Sequence, residues 1–241
     1  MKKKILWWLC LCIAPLILLG IELFHPAGFT NDPGMFQYLS EPQPTPYAYG
    51  HKALGYFGPQ WWFILHMIQT PLVILVAIGL WLMMEMVEDV DELVIQIFSW
   101  LSRVSTFVFL TYYTILDSVG GIGLGRTLIL TKSPQWTPEQ VEAFKLLLNE
   151  VWIDKWVGGV GSVISQTGSW AIFFATVFAA IALFLAKKAP LPALVIFVAF
   201  GWELQVSHAS YNGPIAFGLL IISAAWIYFQ KSEKSDVEKD I

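Results

Sequence analysis

Residues 61–84 read WWFILHMIQTPLVILVAIGLWLMM, and this stretch decides the class of fold. It contains no Asp, Glu, Lys or Arg. An α-helix needs about 20 apolar residues to cross a hydrocarbon core about 30 Å thick, and this stretch is long enough to do so. We therefore interpret it as a membrane-spanning helix.

The composition of the whole chain also indicates an integral membrane protein. Of its 241 residues, 56% are hydrophobic and 13% are charged, whereas a soluble domain carries about 25% charged residues. The net charge of −4 is small and is spread over loops. The sequence therefore predicts the lipid bilayer as a partner and predicts no nucleic-acid partner.

Six segments have the length and composition of a membrane span. We predict one all-α membrane domain over residues 1–230, a six-helix bundle, followed by a charged cytoplasmic tail over 231–241. The basic N-terminus and its apolar run resemble a signal peptide, but no small-x-small cleavage site follows, so we expect a retained helix. The six predicted spans are 5–24, 61–84, 103–125, 158–186, 191–207 and 214–229.

Lys and Arg residues are distributed unequally between the two sides of these spans. With the N-terminus inside, 9 of them lie on the inner side and 5 on the outer side. Most of the excess comes from residues 2–4 and from Lys187 and Lys188. Because short cytoplasmic loops are enriched in Lys and Arg, the sequence predicts both termini in the cytoplasm, as in a small plasma-membrane protein of bacterial type.

Residues 138–155 predict an additional amphipathic helix on the outer face. Thr137 suits the N-cap position and Pro138 the first helical position, and Gln140 completes a capping box. The apolar residues of this segment then fall on one face. Such a helix either lies in the outer interface of the membrane or caps the bundle.

Ionisable residues concentrate in the outer third of the predicted spans. All four histidines, His51 included, fall on the outer side. An ionisable group at the centre of a span costs about 2.5–3.5 kcal/mol and usually faces a cavity or a partner. We therefore predict an outward-facing pocket in which Asp117, His66 and Glu203 converge. Its candidate ligand- or proton-binding residues are His66, Asp117, Glu203, His208, Gln69 and Tyr113, with Glu22 and His25 as secondary members.

Several kinds of chemistry fit these residue types. His66, Asp117, Glu203 and His208 carry donor atoms that bind zinc or non-haem iron, although the sequence has no zinc-binding spacing such as H-E-x-x-H. Haem fits less well, because only His66 lies well within a helix. A chain of acids and histidines could instead transfer protons. Hydrogen bonds between helices would by themselves explain the serine stripe of the fourth span.

Glycine-rich runs follow Asp117 and Asp154, with the sequences DSVGGIG over residues 117–123 and DKWVGGVG over 154–161. Glycine lets helices approach closely in lipid. We interpret both runs as packing sites, since the two halves of the chain show no convincing internal symmetry of the kind found in inverted-repeat transporters.

The leading hypothesis is a small polytopic membrane protein whose outward-facing His/Asp/Glu pocket binds a small ligand, a metal ion or a proton. One alternative is a structural or accessory subunit of a larger membrane complex, in which the polar residues serve packing. A second alternative is a metal-dependent, lipid-directed hydrolase. The sequence leaves open whether the protein is an enzyme.

Overall fold

A computed structural model describes residues 2–25, 35–40, 58–159, 161–209 and 211–237. These residues form helices joined by turns, and none of them forms a strand. Five helical stretches in this part of the chain are long and apolar enough to cross a membrane. The all-α class of the fold is therefore confirmed, with five candidate spans among the described residues, whereas the count of six spans stays a prediction. His51 lies outside the described residues.

The first two spans form close to their predicted positions. Helix α1 (Lys2–Trp8), a π-helical segment (Leu9–Ile13) and α2 (Ala14–Glu22) follow one another without a break. After a short helix, α3 (Met35–Ser40), comes α4 (Pro59–Met83). Gly79 of α4 packs directly on Leu11, and a Cβ at this glycine would lie 2.9 Å from the Cβ of Cys10.

The third span is longer than the predicted crossing over 103–125. Helix α5 (Leu93–Leu116) continues through a second π-helical segment (Asp117–Gly123) into α6 (Leu124–Thr131). This continuous helical stretch has 39 residues and measures about 58 Å at 1.5 Å per residue. It is longer than the bilayer core, and its irregular part begins at Asp117.

The remaining long helices are α8 (Val163–Leu185), α9 (Leu191–Val206) and α10 (Asn212–Val237). Helix α8 begins later than the predicted 158–186 because the Ser162 side chain caps it, accepting a hydrogen bond from the Ser165 backbone N–H at 3.2 Å. Helix α9 has 16 residues, fewer than the five long stretches. Helix α10 runs into residues 231–237, which we predicted to be part of the tail.

The helices bury a common apolar core. Helix α8 packs against α5 and α9, and α10 packs against α9 and α2. The contact between α8 and α9 is close, because a Cβ at Gly201 would overlap the Thr176 side chain. Small residues at such contacts let helices pack by van der Waals attraction in lipid. The largest fully buried side chains include Phe109, Phe197, Phe200 and Phe217.

The acidic loop between α4 and α5 pairs with basic residues from three parts of the chain. Lys3 contacts Glu85 at 2.7 Å, Arg103 contacts Glu88 at 2.5 Å, and Lys188 contacts Asp89 at 2.9 Å. The start of α1, the α4–α5 loop and the α8–α9 turn therefore lie at one end of the bundle. The polar cluster described below lies toward the opposite ends of these helices.

Helix α7 (Pro138–Trp152) forms where the sequence predicts a helix over 138–155. Its capping box is complete: the Gln140 backbone N–H donates to Thr137 Oγ1, and the Thr137 N–H donates to Gln140 Oε1. Leu148 packs in a small cluster with Leu39, Trp62 and Leu128. The location of α7 in the outer interface stays a prediction.

Candidate functional site

Three histidines from different parts of the chain meet at one end of the bundle. His25 follows α2, His66 lies on α4, and His208 lies between α9 and α10. The ring centroid of His25 lies 5.2 Å from that of His66 and 5.0 Å from that of His208. The sequence analysis predicts His25 as a secondary member of the site, but in the structure its ring is in contact with the rings of both His66 and His208.

His66 is held by its own helix and by Trp62. Its Nδ1 lies 2.7 Å from the Trp62 carbonyl oxygen. Because a carbonyl oxygen can only accept, this nitrogen carries the hydrogen, and the neutral ring keeps a lone pair on Nε2. Trp62 in turn donates from Nε1 to the carbonyl oxygen of Gly120 at 3.1 Å. The second π-helical segment is therefore tied to α4 beside the histidine.

Two glycines, one in the second π-helical segment and one at the start of α6, explain why this part of the chain approaches α4 so closely. A Cβ at Gly121 would lie 2.8 Å from the Cβ of His66 and still closer to two carbons of its ring. A Cβ at Gly125 would lie 3.0 Å from the backbone of Phe63. These residues are spaced as in the G-x-x-x-G pattern of close helix pairs, which agrees with interpreting the glycine-rich run as a packing site.

Asp117 has a hydrogen-bond partner on α4, but that partner is not His66. Thr70 donates from Oγ1 to Asp117 Oδ2 at 2.6 Å and is also 2.8 Å from the His66 carbonyl oxygen. Asp117 is the first residue of the second π-helical segment and is buried. Insertions of π-helix are frequent at functional sites. Thr70 lies on α4 one helical turn from His66. The cluster therefore includes an acidic residue, Asp117, at the level of Thr70.

Two further predicted residues form a second link between α4 and α5. Gln69 donates from its side-chain amide to the Tyr113 hydroxyl, and both side chains are buried. The Tyr113 ring also faces His208, with centroids 5.6 Å apart. Of these two predicted residues, Tyr113 contacts the histidine cluster directly, and Gln69 is linked to the cluster through Tyr113.

Glu22 is fully buried at the end of α2. Its two carboxyl oxygens form no hydrogen bond to any described residue. A Cβ at Gly213 would lie 3.2 Å from the Glu22 Cβ and would overlap the His208 carbonyl group. Since a buried polar group without a partner costs about 1–3 kcal/mol or more, the burial of this carboxyl group calls for an explanation.

A cavity of about 70 Å³ lies against the three histidines and Asp117, whereas Glu22, Gln69 and Tyr113 are not among its walls. Its walls come from α4, the second π-helical segment, α8 and the residues after α9. Burial lowers the pKa of His208 to about 4, so that its ring is neutral at pH 7. The polar and aromatic wall residues are His25, Trp62, His66, Asp117, Trp152, Ser165, Gln166, Ser169, Gln205, Ser207 and His208.

Glu203 does not join this cluster. Asn212 donates from its side-chain amide to Glu203 Oε2 at 2.7 Å, and Glu203 is not among the cavity walls. From α9, it is Gln205 and Ser207 that reach the cavity. Helical spacing correctly puts Glu203 and Ser207 one turn apart. It cannot show that Glu203 pairs with Asn212, because Asn212 is the first residue of another helix, α10.

The metal site predicted from His66, Asp117, Glu203 and His208 receives no support. Among the described residues, no group of three or more His, Cys, Asp or Glu side chains is arranged to hold a metal ion. Glu203 is not a wall residue of the cavity and pairs with Asn212, so this four-residue set does not converge on one point.

Comparison of the chain with known protein families, curated proteins and solved structures gives no match. The function must therefore be argued from the cavity itself.

Proposed function

We propose that this chain is a six-span membrane protein with both termini in the cytoplasm, which binds a small ligand in an outward-facing cavity. The observation that carries the proposal is the convergence of His25, His66 and His208 with Asp117 on one cavity. The ligand would bind through hydrogen bonds, since the walls supply both donors and acceptors.

Packing alone is a weaker explanation of this cluster. Polar contacts between helices in lipid average about 0.6 kcal/mol. Many of the described serine and threonine hydroxyls bond a carbonyl oxygen of their own helix, whereas Ser102 and Thr70 bond across to another helix. By contrast, the wall residue His66 carries its hydrogen on Nδ1, so its neutral ring presents an acceptor on Nε2. Glu22 is buried without a described hydrogen-bond partner, but it is not a wall residue of the cavity, so the proposal rests on the histidines and Asp117.

The proposal is tested by measuring bound small molecules directly. The purified protein is extracted with organic solvent, and the extract is quantified by mass spectrometry for the natural chain and for His208→Phe, which replaces a polar wall with an apolar one. Thr111→Phe, on an exposed face of α5, is the matched control. We expect a compound that is retained stoichiometrically by the natural chain and the control and is lost from His208→Phe.

The alternatives give different results in the same experiment. An accessory subunit would retain no compound in any of the three proteins and would retain the same membrane partners in all of them. That outcome would contradict ligand binding. The lipid-directed hydrolase rests on a metal ion, and the described residues offer no group to hold one.

The proposed orientation predicts which side of the membrane labels two engineered cysteines. Ser133→Cys should react with an impermeant thiol reagent added outside intact cells, and Ser235→Cys should react only after the membrane is opened. The native Cys10 and Cys12 are buried and give little background. Labelling of both engineered positions from the same side would contradict the six-span topology.

A further inference from the structure

A second cavity adjoins the first, and its walls have the opposite character. It has a volume of about 210 Å³ and lies between α7 and the helical stretch of the second π-helical segment and α6. Leu124, Phe144, Leu147, Leu148 and Val151 form much of its wall. We call this the apolar cavity and the histidine-lined one the polar cavity.

The two cavities share part of their walls. Gly120 and Trp152 line both. Gly158 lines the apolar cavity and Gly159, the next residue, lines the polar one. A ligand that passes Gly120 could therefore contact both sets of walls. Polar groups at one end and apolar groups at the other are what an amphiphilic molecule requires.

The charges of the walls restrict the polar end of such a ligand. Among the described residues, neither cavity has a Lys or Arg in its wall, and Asp117 is the one acidic wall residue. Phosphate and carboxylate groups are usually bound by Arg or Lys, so an anionic head group is disfavoured. Asp117 already accepts a hydrogen bond from Thr70, and the imidazoles and hydroxyls offer hydrogen bonds to an uncharged group.

The apolar cavity is also open to its surroundings. Leu147 is 60% exposed and Val119 is 49% exposed, and both line it. In the membrane arrangement proposed above, with α7 in the outer interface, these exposed apolar side chains would face hydrocarbon. An apolar chain could therefore enter sideways from the bilayer without passing through water.

We infer that the ligand is an uncharged membrane amphiphile with its hydrogen-bonding head in the polar cavity and its chain in the apolar cavity beneath α7. This inference rests on the proposed function and specifies its class of ligand. A quinone ring with a prenyl chain and a glycerol head with an acyl chain share this chemistry. The experiment distinguishes these two sources.

The test uses photoactivatable probes on the purified full chain in lipid nanodiscs. The probes are a monoacylglycerol and a short-chain prenylated benzoquinone, each with a diazirine in its chain. The corresponding fatty acid and alkyl trimethylammonium ion, with the same diazirine, are the charged controls. We expect cross-links within residues 119–127 and 144–152 from one uncharged probe, and far fewer from the charged ones.

Gly120→Leu should block the junction between the cavities. A Cβ at Gly120 meets only Leu116, at 3.9 Å, so the backbone has room for a side chain. The matched control is Gly20→Leu on α2, where a Cβ meets nothing within 4 Å. We expect Gly120→Leu to reduce labelling roughly ten-fold and Gly20→Leu to leave it unchanged. Leu147→Trp narrows the apolar cavity from an exposed position and replaces Gly120→Leu if that variant does not fold.

The outcomes separate this inference from the proposed function. The inference of an amphiphilic ligand would be overturned if charged and uncharged probes label the protein equally. It would also be overturned if neither cavity variant changes the labelling. If a polar compound is still retained by the natural chain and lost from His208→Phe, the binding cavity stands and only the amphiphile fails. If no compound is retained and no probe cross-links, both proposals fail.

Discussion

We expect Gly121→Ala to lower the free energy of unfolding by about 1–3 kcal/mol, the usual cost of overfilling a packed site. The added methyl group would lie 2.8 Å from the Cβ of His66. A contact with a Cβ cannot be relieved by turning the ring alone, so α4 and the second π-helical segment must separate. Reversible unfolding of the purified protein in mixed detergent micelles measures the change.

The neighbouring residue supplies the control for this prediction. Gly120→Ala makes the same chemical change, but its methyl group meets only Leu116 at 3.9 Å. Alanine stabilises a helix by up to about 1 kcal/mol relative to glycine, so this variant should be as stable as the natural chain or more so. Equal effects of the two substitutions would show that the Gly121 contact does not hold the helices together.

The Gly121 contact also bears on ligand binding. Displacement of α4 would move His66 away from His25, whose ring lies 5.2 Å away. The compound retained by the natural chain should therefore be lost from Gly121→Ala and kept by Gly20→Ala, whose added methyl group meets nothing within 4 Å and which lines neither cavity. Binding and stability change together here because the same contact positions the histidine and joins two spans.

Hydropathy predicted the membrane class of the fold, because a span must be apolar along its whole length. The capping box likewise predicted the start of α7, because its residues interact only with their near neighbours in sequence. Neither rule shows that the helical stretch that begins with α5 continues without a break to Thr131, the end of α6. The second π-helical segment keeps the helix going through a run of glycines, and its packing against Trp62 and His66 is a tertiary effect.

The candidate site was predictable in part for the same reason. A costly buried acid needs a partner, so the sequence correctly indicated that Asp117 faces inward. Its partner is Thr70 and not His66, since the choice depends on the rotation of α4 against α5. Glu203 pairs with Asn212, at the start of another helix. Helical spacing describes one face of one helix and leaves the pairing of faces undetermined.

The cluster combines well-tied residues with residues that keep free hydrogen-bonding capacity. Trp62, Thr70 and Gln69 tie α4 to α5 and the second π-helical segment by side-chain hydrogen bonds. Beside them, the neutral His66 ring presents an acceptor on Nε2, and both His66 and His208 form part of the cavity wall. A binding site needs both properties, because a rigid frame keeps the remaining donors and acceptors in position for a ligand.

The Thr70–Asp117 hydrogen bond should be the most valuable of these ties. We expect Thr70→Val, which keeps the shape of the side chain, to destabilise the protein by about 1–3 kcal/mol, because it leaves a buried acid without its donor. The single Thr70 hydroxyl hydrogen is also within reach of the His66 carbonyl oxygen in its own helix, so the two acceptors share it. Thr114→Val is therefore the control, since Thr114 is partly buried and bonds only the Leu110 carbonyl oxygen, in the same local geometry.

The double substitution isolates the contribution of the acid. In a chain that already carries Asp117→Leu, Thr70→Val removes no bond between helices and should cost no more than Thr114→Val does. The difference between the two backgrounds is the coupling free energy of Thr70 and Asp117, measured by the same unfolding titration. We expect about 1–2 kcal/mol, toward the upper end for a polar pair between helices in a bilayer. A coupling within error of zero would mean that Asp117 is stabilised by other groups and that the α4–α5 contact does not position the site.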